Sequence, residues 1–125
     1  DAVAPSQKRD ARKKIVQALK TLNWTGKTRC VRINDLSTEY AYEDIIEVVR
    51  GAGEKLHTIM IPKTQDARDV WFVETLLEQL ETDLGLGNRI GIEALIEEED
   101  VDILGWALGT LCCVPAFVVR ATVEE

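Results

Sequence analysis

Apolar and polar residues alternate along Thr28-Arg29-Cys30-Val31-Arg32-Ile33-Asn34. A period of two predicts a strand there. Ahead of it, Ile15, Leu19 and Leu22 recur at helical spacing and predict a helix over 6–22, with Pro5 before it and Ser6 as its cap. Ile45, Ile46, Val48 and Val49 supply the buried side of a second helix over 39–50, which Gly51 and Gly53 are expected to stop. A strand over 57–62 follows. Val70, Val73, Leu76, Leu77 and Leu80 form the stripe of a third helix over 64–84, ended by Gly85 and Gly87, and 89–97 reads as a third strand.

Helix and strand therefore alternate at nearly even intervals, which argues for right-handed crossovers and a parallel sheet in an α/β fold. The strands are apolar enough to suggest burial on both faces. In such folds ligands bind at the C-terminal edge of the sheet. Arg32, Lys63 and the pair Glu93 and Glu97 fall toward that edge on three successive strands.

The pattern changes after Glu97. An acidic run, Glu97-Glu98-Glu99-Asp100, leads into an apolar stretch from Ile103 to Val119 without a helical polar face. That length is at the short edge for a membrane span and Pro115 interrupts it, so a membrane segment is disfavoured. The chain divides into 1–97 and a divergent apolar tail, 98–125, expected to supply buried helix and strand, to fold poorly, or to form an oligomer contact.

A chain of 125 residues is enough for one domain with a modest core. Its net charge of −7 disfavours nonspecific nucleic-acid binding. Cys30, Cys112 and Cys113 have no zinc-site or disulfide spacing, which points to a reducing compartment. With no signal-peptide pattern at its start, the chain is expected to be cytoplasmic. Its opening at Asp1 suggests a piece of something longer.

Arg32 shares a predicted strand face with Cys30 and Asn34, a face that would point inward in a closed barrel. A buried guanidinium requires a carboxylate or an anionic ligand, and spacing alone leaves both open. Glu93 and Glu97 lie on one face of their predicted strand. Two inward carboxylates repel unless a cation or shared proton intervenes, and a hard divalent ion would satisfy them. The alternative is that Glu97 begins a solvated acidic run. Lys63 reads as an ion-pair partner or a surface lysine, with no feature that favours a Schiff base. Lys8, Arg9, Arg12, Lys13 and Lys14 crowd the start of a helix, the unfavourable end for cations. Either a phosphate docks there or the face is solvated. His57, the single histidine, has no convincing catalytic partner.

At these residues the chain resembles the HpcH/HpaI aldolase and citrate lyase β-subunit superfamily, with the pattern of its malyl-CoA and β-methylmalyl-CoA lyases. The similarity rests on Asp1-Ala2-Val3-Ala4-Pro5, then Lys8 and Ala11-Arg12, then Val31-Arg32-Ile33-Asn34, then Tyr42-Glu43-Asp44-Ile45. It continues with Ile59-Met60-Ile61-Pro62-Lys63 and Ile90-Gly91-Ile92-Glu93-Ala94-Leu95-Ile96-Glu97. Each motif alone is weak, but their order and intervals are specific.

The resemblance implies a (β/α)₈ TIM barrel, of which this chain would hold about half, from roughly strand two to strand five. It also implies Mg2+ and carbon–carbon cleavage of a CoA thioester to a glyoxylate-like oxo-acid, in a homo-oligomer. On it, Arg32 is the catalytic residue that holds the oxo-acid and its developing oxyanion, with Asn34 beside it in substrate binding. Glu97 is the metal ligand, with Glu93, Lys63 and Asp1 in support. The similarity breaks in three places. Glu98-Glu99-Asp100-Val101 replaces the family's usual continuation. The family's second metal-ligating aspartate has no counterpart. The glycine of the family's "RINGLDT" is lost in Arg32-Ile33-Asn34-Asp35-Leu36-Ser37-Thr38. These losses keep a second reading open, an α/β binding or scaffold module without chemistry.

Overall fold

The computed structural model describes residues 3–96 and 117–121. Helix α1 spans Lys8–Thr21, β1 Cys30–Arg32, α2 Ala41–Ala52, β2 Thr58–Ile61, α3 Ala67–Leu84, β3 Gly91–Ile96 and β4 Phe117–Ala121. The strands form one parallel sheet in the order β1-β2-β3-β4. This is the expected α/β architecture, a portion of a barrel-like fold. The fourth strand comes from the stretch set apart in sequence as a tail; the rest of that tail lies outside the described residues. Among the described residues, no helix is long and apolar enough to cross a membrane.

The core lies between the sheet and the helices. Val31, Ile33, Ile59, Ile61, Ile92 and Ala94 point from one sheet face onto Ile45, Val48, Val49, Val70, Val73, Leu77 and Leu80. Burial on both sheet faces, as expected from sequence, holds only in part. Cys30 and Arg32 are exposed on the second face, Thr58 and Met60 are half-buried, and Glu93 is buried. A face of this kind is fully covered only where strands close around it, and β1 has a neighbour on one side only among the described strands.

Several predicted boundaries move, each for a local reason. Ser6 does not cap α1: Pro5–Gln7 forms a 3-10 turn and the helix begins at Lys8 without a side-chain cap. Leu22, expected as the last apolar position of the helix, follows the last helical residue with an extended backbone and is 59% exposed. Gly51 does not stop α2; it lies inside the helix, and a Cβ there would sit 2.6 Å from Val16 Cγ1. The missing side chain is what lets α1 and α2 approach. Helix α3 starts at Ala67, with the Asp66 carboxylate accepting from the Arg68 N–H at 2.8 Å. It ends as expected at Gly85, whose left-handed backbone (φ 62) lets its N–H reach the Glu81 and Thr82 carbonyls.

Candidate active site

The strand register brings Arg32, Met60 and Glu93 into one row across β1, β2 and β3. Neighbouring strands are about 4.8 Å apart, so the Arg32 and Glu93 backbones are separated by roughly 10 Å. Both side chains project from the sheet face opposite the helices, because Val31 and Ile92 take the helix-facing positions next to them. Glu93 is 6% exposed, and its Oε2 accepts from the Cys30 thiol at 3.1 Å. The row thus combines a guanidinium and a buried carboxylate. Such a pair can hold an anion and support a hard cation beside it.

Lys63 lies in the turn after β2 at the same edge of the sheet. It is exposed, with a positive φ of 49 that is uncommon for a residue with a side chain. The turn is held by Thr64, whose N–H donates to the Leu95 carbonyl (2.9 Å) and whose hydroxyl donates to the Ile61 carbonyl (3.1 Å). Lys63 is therefore brought to the edge that Arg32 occupies. Glu97 and Asp1, expected as metal ligand and support, lie outside the described residues. Among the described residues, no group of three or more His, Cys, Asp or Glu side chains could hold a metal ion.

Asn34 is placed differently from the sequence reading, which put it on the Arg32 face. Its side chain is buried toward the helices. Nδ2 and the backbone N–H donate to Asp44 Oδ2 at 2.5 and 2.7 Å, and Oδ1 accepts from Lys8 Nζ at 2.7 Å. β1 ends at Arg32, so strand alternation no longer governs Asn34. The basic run at the start of α1 is solvated only in part, and its buried members meet protein groups. Lys8 and Arg12 are buried, whereas Arg9, Lys13 and Lys14 are exposed. Arg12 Nε donates to Asp44 Oδ1 at 2.7 Å, NH1 pairs with Glu43 at 3.0 Å, and NH2 donates to the Tyr40 carbonyl. Burial lowers the Arg12 pKa, but the bond to Asp44 and the charges of Asp44, Glu47 and Glu43 outweigh it and raise it above its usual value.

Asp44 stood in the sequence only as a member of the Tyr42-Glu43-Asp44-Ile45 motif, with no role and no link to Arg12. A signal was present. Asp44 falls within the stripe Ala41, Ile45, Val48, Val49, Ala52, and Arg12 within the stripe of Ile15 and Leu19. Opposite charges on the buried sides of two adjacent helices predict an ion pair. Where the glycine of the family motif is lost, Asp35 organises the loop after β1. Its carboxylate accepts from the Ser37 N–H and its carbonyl from the Thr38 N–H, both at 2.9 Å. His57 lies at the opposite end of β2, where its Nδ1 accepts from the Arg29 N–H. On the outer layer, a mainly apolar groove of about 550 Å3 runs between α1 and α2 over Val16, Ile46 and Gly51.

The sequence pattern of the HpcH/HpaI aldolase/citrate lyase family matches residues 1–109. The chain is 40% identical over 97 residues to an L-malyl-CoA/beta-methylmalyl-CoA lyase of Cereibacter sphaeroides, covering 78% of this chain and 30% of that protein. It is 34% identical over 97 residues to the malyl-CoA/beta-methylmalyl-CoA/citramalyl-CoA lyase of Chloroflexus aurantiacus, covering 78% and 28%. A (3S)-malyl-CoA thioesterase of Cereibacter sphaeroides is 35% identical over 100 residues, covering 75% and 34%. The chain thus spans about 30% of the length of the curated relatives it matches. In structure it is similar to a citrate lyase of Burkholderia xenovorans (TM-score 0.75, 13% identity, 98% of this chain and 37% of the other). It is also similar to the malate synthase of Haloferax volcanii (TM-score 0.74, 18% identity, 92% and 33%).

Proposed function

Since this chain belongs to the HpcH/HpaI aldolase/citrate lyase family, we propose that it carries part of the site of a magnesium-dependent lyase. The substrate class is a 3-hydroxyacyl-CoA thioester such as malyl-CoA, cleaved to glyoxylate and acetyl-CoA. The observation that supports this reading most is the Arg32–Met60–Glu93 row at the strand ends, within a stretch that aligns with proteins named as malyl-CoA lyases.

The chemistry asks two things of the site. Breaking the carbon–carbon bond turns the hydroxyl carbon into the aldehyde of glyoxylate, and the hydroxyl proton leaves. The bonding electron pair becomes a thioester enolate, which takes up a proton to give acetyl-CoA. Negative charge thus develops on oxygen, and a fixed guanidinium stabilises it more in the transition state than in the substrate. Arg32 takes that role, and its planar fork also suits the oxo-acid carboxylate. Lys63, brought to the same edge by its turn, adds a second positive charge.

Magnesium accepts one or two carboxylates plus waters, and Glu93 offers a buried oxygen donor of the right hardness on the Arg32 row. Glu97, directly after β3 in sequence, is the proposed ligand, with Glu93 and Asp1 in support. Bound there, the ion would polarise the oxygens on which charge develops. The same reading carries a cytoplasmic homo-oligomer, in which a partner would cover the edge of β1 that has no neighbour among the described strands.

Calorimetric titration of Mg2+ with and without glyoxylate tests the proposal. Binding that tightens with glyoxylate and is lost in Glu97→Gln and Arg32→Ala is the expected result. No heat at millimolar Mg2+ would overturn the lyase site and leave the scaffold-module reading.

A further inference from the structure

The chain leaving β1 is held at two successive amides from opposite sides. The Ile33 N–H donates to the Met60 carbonyl at 3.2 Å. The next N–H, of Asn34, donates to Asp44 Oδ2 at 2.7 Å instead of to a strand. On the side of β1 away from β2 there is no strand among those described, and the Asp44 carboxylate supplies the anchor there. The Asn34 side chain doubles the bond through Nδ2, and Lys8 Nζ fixes the amide by donating to its Oδ1. Asp44 is in turn fixed by Arg12 Nε on its other oxygen. Lys8, Arg12, Asn34, Asp44 and Arg32 together line one cleft of about 30 Å3.

We propose that Asp44 is a positioning residue: by clamping Asn34 through its backbone and side chain, it sets the direction in which Arg32 leaves the end of β1. Arg32 stands at the last ladder position of β1, two residues before Asn34, so loosening the backbone at Ile33 and Asn34 would free the Arg32 Cα from one side. Each Asp44 bond is charge-assisted and short, the strong class of hydrogen bond, and each is buried. A helix-borne carboxylate thereby transmits the rigidity of α1 and α2 to an otherwise half-supported strand end. The functional consequence rests on the proposed role of Arg32; the ordering itself does not.

Nitrogen-15 NMR of the chain tests it without any ligand, with the Arg32 Nε signal identified by its loss in Arg32→Lys. In Asp44→Asn and Asn34→Ala, the Arg32 Nε–H order should fall, and amide exchange over residues 33–40 should quicken by about tenfold or more. Leu77→Ala, a cavity on α3 outside the cluster, should leave both unchanged although it also lowers stability. Asn34→Ala keeps the Arg12–Asp44 pair and guards against loss of the fold in Asp44→Asn. Unchanged Arg32 order in Asn34→Ala, or an equal change in Leu77→Ala, would overturn the proposal. A separate glyoxylate titration keeps the two ideas apart. Absent binding with Arg32 order still dependent on Asn34 would reject the lyase reading and retain the clamp.

Discussion

One oxygen of Asp44 closes a two-bond ring on Asn34, 2.5 Å from its Nδ2 and 2.7 Å from its backbone nitrogen. The other oxygen meets Arg12 at 2.7 Å. All three residues are buried, so the ring ties α1, α2 and the end of β1 into one unit. Removing Asp44 leaves a buried guanidinium short of charge and an amide without its acceptor. Asp44→Ala is therefore expected to cost about 3–5 kcal/mol, read from the midpoint of urea unfolding. Adding Arg12→Met should recover part of that loss, because the stranded charge goes with it. A loss under about 1 kcal/mol would show that the pair behaves as a surface contact.

Gly51 offers an independent check on the packing of the helix pair. An alanine there gains helix propensity of about 1 kcal/mol, yet its Cβ would meet the stiff Val16 side chain at 2.6 and 2.8 Å. Overpacking of this kind costs about 1–3 kcal/mol, so Gly51→Ala should be neutral to destabilising. Gly51→Ala combined with Val16→Ala should be more stable than Val16→Ala alone, since the added methyl then fills space. Thermal unfolding of the three variants decides it, and a stabilising Gly51→Ala in the Val16 background would contradict the close approach.

Asp66 gives the chain a pH-dependent helix cap. The Arg68 side chain holds its carboxyl below the usual carboxylate range, against a weaker push upward from burial, and the Arg68 N–H adds to the lowering. A depressed folded value means that the charge-dependent stabilisation is present above about pH 4 and is lost as pH falls through the folded value. The Arg68 guanidinium is largely exposed, so that part is small and screened by salt. Asp66→Asn retains an acceptor for the Arg68 N–H, and its stability deficit at pH 7 should vanish in acid. Asp66→Ala should show a deficit of about 1 kcal/mol at pH 7 and keep part of it in acid, where a protonated Asp66 still offers an acceptor and alanine does not. Unfolding curves at several pH values separate the two.

The periodic elements were legible in the sequence because burial of apolar side chains fixes them. Val31 and Ile33, Ile59 and Ile61, and the α3 stripe from Val70 to Leu80 all lie where their spacing predicts. The boundaries were less legible, since they depend on backbone geometry. Ser6 has the chemistry of a cap but sits in a 3-10 turn, and Gly51 looks like a stop but serves close packing. At the candidate site, Arg32 and Glu93 fall in one row of the sheet, as their place toward one edge suggested, whereas alternation failed at Asn34, which lies beyond the last ladder residue. The clamp around Asp44 was hidden for another reason. It joins residues separated by 32 positions (Arg12 and Asp44) and by 26 (Lys8 and Asn34), and only the packing of α1 against α2 brings them together.

If the strand ends carrying Arg32 and Glu93 form an oxo-acid site, glyoxylate must be felt there. The most direct test is an amide chemical-shift map of the nitrogen-15-labelled chain as glyoxylate is added in the presence of Mg2+. An oxo-acid site there should give saturable shifts centred on Arg32, Lys63 and Glu93 that disappear in Arg32→Ala. Shifts centred on the outer groove around Val16 and Ile46, or none at all, would contradict it.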